Sequence, residues 1–188
     1  MKFVLAALLL AGALVTMAQT KPASSSAMAA PAAATKDPVT ASLRILLPRS
    51  QNNTVGAVEA MPADKYSYKP TADQITFAHL AAHIANSNNL LCSKAADVPA
   101  PKVDEAKDTD PKDKLVSAVK DSYSFCSDAL GKMDDSKLGD SVELFGGRQF
   151  PRAMAALGLA SGWADHYAAA AMYLRLNNIL PPSAQPKK

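Results

Sequence analysis

Residues 71–94 read TADQITFAHLAAHIANSNNLLCSK, and this stretch decides the fold. Phe77, Leu80, Ala81, Ile84, Asn88 and Leu91 recur at helical spacing, which predicts a helix over about 72–94 with one face in a core. Thr71 followed three residues later by Gln74 has the spacing of a capping box at its start. Downstream, Leu115, Val119, Tyr123, Cys126, Leu130 and Met133 form the stripe of another helix, about 112–132. A further run, about 151–177, is apolar almost all round, which predicts a helix enclosed by its neighbours. Asn178 suits the left-handed position after it, and Pro181-Pro182 forbid resumption.

Upstream, Asp37-Pro38 offers a cap and a first helical residue. The apolar stretch Val39 to Leu47 then meets Pro48, which should kink or end it, and Ser50 to Ala60 continues the rod. Residues 134–150, with Gly139, Gly146 and Gly147, read as a loop with at most a short extended piece. Four helices predict an all-α protein, a four-helix bundle. The charged, Pro-bearing connection from Ala95 to Pro111 is about 17 residues long, enough to carry the chain back along the bundle. That favours an up-down-down-up order with helices two and three parallel. Cys92 and Cys126 would then lie at one end of the bundle.

The first residues stand apart. Lys2, an apolar run from Phe3 to Val15 and the small residues Thr16 and Ala18 have the layout of a signal peptide over residues 1–18. The run is short for a membrane span, and an uncleaved anchor is the rival reading. Cleavage would leave an exported protein, periplasmic or secreted, with no stable membrane span. Residues 19–36, QTKPASSSAMAAPAAATK, have no hydrophobic period and read as a flexible tether. The folded domain then spans 37–183, with a disordered tail at 184–188. The formal charge of +3 drops to +2 without Lys2, too near neutral for a dedicated nucleic-acid binder.

Chemistry can reside in few places. Two cysteines in an exported chain are usually paired, and a Cys92–Cys126 disulfide is the first expectation. The bland alternative makes Cys126 a small apolar core residue. His79 and His83 are four apart, so both lie over one side of helix two, with His83 at the margin of the apolar stripe and His79 turned toward solvent. His166 lies on helix four. Three imidazoles suffice in number for a divalent metal with an open position, although the spacing alone favours solvated or satisfied histidines over ligands. Trp163 reads as a packing anchor, and Tyr167, Tyr173, Arg175 and Asn177 as residues that close helix four.

At these residues the chain resembles a known family. EAMPADKYSYKPT, TFAHLAAHIANSNNLLCS and DHYAAAAMYLRLNNILPPS look like the DinB-like (DinB/YfiT) superfamily, in particular its exported members, over about residues 40–183. The resemblance implies an up-down-down-up bundle with a metal pocket between helices two and four. It implies Zn²⁺ or Ni²⁺ held by one histidine late in helix two, here His83, and by an HxxxH pair in helix four, of which His166 is the second member. The first member's position is Gly162, which supplies no ligand. His79, Asp165 and Glu59 are substitutes by chemistry, and a cavity at Gly162, bordered by Trp163 and Tyr173, is the expected binding space for a small molecule. The resemblance further implies metal-dependent transfer or hydrolysis of a small thiol or related substrate as the alternative to plain binding. It also leaves a homodimer open.

Overall fold

The computed structural model describes residues 34–186. Residues 1–33, which hold the stretch read as a signal peptide and most of the one read as a tether, and the last two residues lie outside the described part. Four helices dominate: α1 (Pro38–Ala60), α2 (Phe77–Ala96), α3 (Lys112–Lys132) and α4 (Ala153–Leu176). Between α3 and α4 sits a small antiparallel hairpin, β1 (Ser141–Leu144) and β2 (Arg148–Pro151).

Cross-helix bonds fix the directions. Asn88 bonds Ser122 and Cys92 is bridged to Cys126, both pairs 34 residues apart, so α2 and α3 run parallel and in register. Arg44 bonds the Leu130 carbonyl and Tyr123 bonds Thr54, which makes α1 and α3 antiparallel. Leu91 meets Gly158 while Phe77 meets Tyr173, which makes α2 and α4 antiparallel. The result is the up-down-down-up bundle, ordered α1, α3, α2, α4 around its axis. The long connection between α2 and α3 makes the parallel pair attainable.

The α3 stripe is buried as its spacing requires, from Leu115 through Met133. One polar side chain ties three helices together inside the core. Asn88 donates from Nδ2 to Ser122 Oγ at 3.1 Å and accepts from Trp163 Nε1 at 3.0 Å. A carboxamide bonded at both its nitrogen and its oxygen there costs little and pins α2, α3 and α4 in one arrangement.

Several local expectations are corrected. Helix α1 runs unbroken through Pro48, because residues on both sides of it, Leu43 and Leu47 before and Thr54, Ala57 and Val58 after, are buried in the same core. Asp37 makes no capping bond and adopts φ 52°. The cap comes from Asp135 instead, in a 3₁₀ turn after α3. Its carboxylate accepts from Val39 N at 2.8 Å, Thr40 N at 2.9 Å and Thr40 Oγ1 at 2.6 Å. Helix α2 begins at Phe77, capped by the Thr76 hydroxyl, which accepts from His79 N at 3.0 Å. The Thr71–Gln74 start is displaced because the Phe77 and Ala78 amides bond the Tyr68 and Tyr66 carbonyls of the lead-in.

The segment read as a loop forms the hairpin, with Val142 and Leu144 turned into the core. Its turn runs through Phe145, Gly146 and Gly147, all at positive φ. Helix α4 is not enclosed. Leu157, Met172 and Leu176 are more than half exposed, because only α1 and α2 pack along it and its outer side has no neighbour among the described residues. After α4, Asn178 takes the left-handed conformation expected of it, at φ 61°. A 3₁₀ turn at Pro182–Ala184 lies against Gly56, so ordered chain reaches into what was read as tail.

Candidate histidine site between α2 and α4

The antiparallel packing of α2 on α4 sets His83 opposite His166. Their ring centroids are 5.0 Å apart and the planes stand at 84°. His83 is exposed, and its Nε2 lies 3.3 Å from Ser87 Oγ one turn on. His166 is half-buried, and its Nδ1 is shielded from solvent without a hydrogen-bond partner among the described residues. Burial, helped by the neighbouring His83 and opposed by Asp165, holds the His166 pKa down at about 4. At neutral pH it is therefore an uncharged imidazole, the form that accepts a hydrogen bond or donates a lone pair.

Gly162 lies directly beneath this ring. A Cβ there would meet His166 Cε1 at 3.5 Å and Nδ1 at 3.9 Å, which is ordinary contact. The absent side chain leaves the orphaned nitrogen over bare helix backbone, so the position that the resemblance marks as a helix-four ligand offers no donor atom.

The other candidates are elsewhere. His79 is exposed and faces the connection, its Nδ1 3.7 Å from Asp108 Oδ2. It shares a surface pocket of about 330 Å³ with His83, Asn86 and Lys107, and His166 takes no part in that pocket. Glu59 is committed to Lys120 at 2.6 Å, and Asp165 is exposed on α4. Trp163 is 2% exposed and bonded to Asn88, an anchor as its residue type suggested. Its edge borders a groove of about 300 Å³ between α1 and α4, shared with Arg49 and Tyr167. Tyr173 is buried at the start of α2, donating to the Ile75 carbonyl at 2.7 Å and packing on Phe77 and Tyr68. Tyr167 bonds Ser183 and closes the C-terminal turn.

The residues test the metal that the family resemblance implies. Two imidazoles holding one ion at about 2.0–2.1 Å in tetrahedral geometry place their ring centroids about 5 Å apart. The His83–His166 spacing meets that requirement. The donor count does not, because among the described residues no group of three His, Cys, Asp or Glu side chains is placed to hold one ion. The arrangement does not suit a resident centre with three protein ligands, and the ring spacing is equally that of an edge-to-face pair. Ser87 is the neighbour that pattern reading passed over. Ser87 had a usable signal, since it lies four residues after His83.

Cys92 and Cys126 form the disulfide expected of them, with Cα atoms 5.2 Å apart. No described helix is long and apolar enough to cross a membrane.

Comparison with known proteins agrees with the architecture. The sequence model of the DinB superfamily matches residues 46–169. A crystal structure of a DinB-like protein from Bacillus subtilis superposes with a TM-score of 0.61 at 20% identity, covering 77% of this chain and 99% of that one. A DinB-like protein from Bacillus cereus gives a TM-score of 0.60 at 14% identity, covering 74% and 93%. No curated protein matches.

Proposed function

Since the chain belongs to the DinB superfamily, we propose that it is an exported, binding member in which the metal pocket between α2 and α4 is reduced to the His83–His166 pair. The observation that carries this reading is the uncharged, half-buried His166, with its unpartnered Nδ1 above Gly162 and the His83 ring 5.0 Å away. Such a pair binds a small polar molecule through its ring nitrogens, or Zn²⁺ or Ni²⁺ weakly, since each lost protein ligand lowers affinity. Export is supported by the layout of residues 1–18 and by the disulfide, which persists in oxidising compartments.

The second reading is a divalent-metal-dependent transferase or hydrolase acting on a small thiol or related substrate, and the ring spacing favours it. A bound ion would lower the pKa of a coordinated water or thiol. The chain's own part would be to supply two neutral imidazoles and to hold His83 in place through Ser87.

Calorimetric titration of Zn²⁺ and Ni²⁺ into wild type, His83→Ala, His79→Ala and Gly162→His tests the binding reading. Weak binding by wild type, lost in His83→Ala and tightened by Gly162→His, is the expected pattern. Tight wild-type binding that His79→Ala abolishes would sink the two-histidine site and restore a three-ligand centre.

A further inference from the structure

A separate groove opens where α2 and α3 run side by side and the connection of residues 97–111 crosses them. It encloses about 400 Å³, a volume typical of small-molecule sites, and neither His83 nor His166 lines it. Its roof is fixed. Asn86 donates from Nδ2 to the Ala106 carbonyl at 2.9 Å and accepts from the Ala106 amide at 3.0 Å, so one side chain grips the crossing strand at both polar atoms. The space is therefore built in before any ligand arrives.

The lining combines an apolar bed with unpaired acceptors. Ala118 and Phe125 of α3 face Pro101 and Val103 of the connection, and Val103 is 65% exposed. Ser122 is already spent on the Val119 carbonyl and on Asn88. Asn89 is not: its Oδ1 is out of water and without a donor among the described residues. The rim carries Asp104 and Asp121, both exposed and neither in an ion pair among the described residues. The lining cation, Lys114, is held by Asp110 at 2.9 Å. The groove thus offers unpaired negative charge at its rim around an aromatic ring, with the Asn89 carboxamide, its oxygen turned out of solvent, in the wall.

We propose that this groove binds a small organic cation, an amine with an aryl or alkyl body. The ammonium group faces the Asp104 and Asp121 carboxylates. The body lies on Phe125 and Val103, where the ring face also attracts the cation. Rotation of the Asn89 carboxamide about its terminal torsion turns its oxygen to an ammonium N–H. An anion is repelled at the rim, and a neutral analogue forgoes the carboxylates.

The test uses the chain from residue 19 and three probes with one aryl body: phenethylamine, 2-phenylethanol and 3-phenylpropionate. Each is titrated at low salt and followed by amide NMR shifts. Saturable shifts at Asn89, Ala118 and Phe125 are expected with the amine. Affinity should be roughly tenfold lower for the alcohol, with no binding of the carboxylate. Asp121→Asn, at an exposed position that leaves the fold intact, should weaken amine binding about threefold. Ala118→Leu should fill the groove and abolish it. No saturable amine binding, equal binding of amine and alcohol, shifts clustered away from these residues, or an unchanged affinity in Asp121→Asn would each overturn the proposal.

Discussion

His166 titrates far enough from its ordinary value to register in the stability of the whole chain. In the unfolded chain an imidazole takes up its proton near pH 6.5, whereas burial in the fold delays this to about pH 4. Below pH 6.5 the unfolded state therefore binds a proton that the folded state refuses. Stability from this source is complete above pH 6.5 and is lost as the pH falls toward 4, by an amount on the order of 3 kcal/mol. Urea unfolding in a chelator, from pH 7.5 to 4, should show the decline in wild type and a clearly flatter profile in His166→Gln. Equal slopes would refute the assignment. The sequence announced both rings of this pair, since their positions followed from helical spacing and from the family likeness. It could not announce that His79 turns to Asp108, because that depends on where a 17-residue connection happens to cross.

At the scale of elements, the start of α1 is governed from the far side of the chain. Asp135 answers the amides of Val39 and Thr40, and the Asp37 carboxylate in turn accepts from the Asp135 amide at 3.2 Å. Asp135→Ala should cost about 1–2 kcal/mol in denaturant unfolding and speed hydrogen exchange at Val39 and Thr40 ahead of the rest of the helix. An unchanged unfolding midpoint would show that water replaces the carboxylate at no loss. No local pattern could have disclosed a cap nearly a hundred residues away. Where a helix is bounded by its own neighbours, reading succeeded: α3 occupies Lys112–Lys132, between Pro111 and the end of its stripe. The misplaced start of α2 shows the converse. A well-spaced Thr71–Gln74 pair lost to Thr76 because backbone bonds from the Phe77 and Ala78 amides to the Tyr68 and Tyr66 carbonyls fix the first turn.

For the whole molecule, the sulfur bridge sets how much of the bundle survives reduction. Opening Cys92–Cys126, which are 34 residues apart, should lower stability by about 3–4 kcal/mol in the chain-entropy account. Thermal unfolding with and without dithiothreitol, against Cys92→Ala/Cys126→Ala, measures it. A reduced protein as stable as the oxidised one would mean that α2 and α3 hold their register by packing alone. The overall topology was legible from the length of one connection, while the open side of α4 was not, because composition records how apolar a helix is and not how many neighbours it has. The same rivet has a mechanical corollary. Asn88–Ser122 and Cys92–Cys126 lock α2 and α3 at successive turns, so these two rods translate as one body, whereas the seam between α2 and α4 is closed by noncovalent contacts alone, Asn88–Trp163 among them. His83 and His166 stand on opposite banks of that seam, and a guest wedged between them would be gripped or released by whatever small sliding the bundle retains.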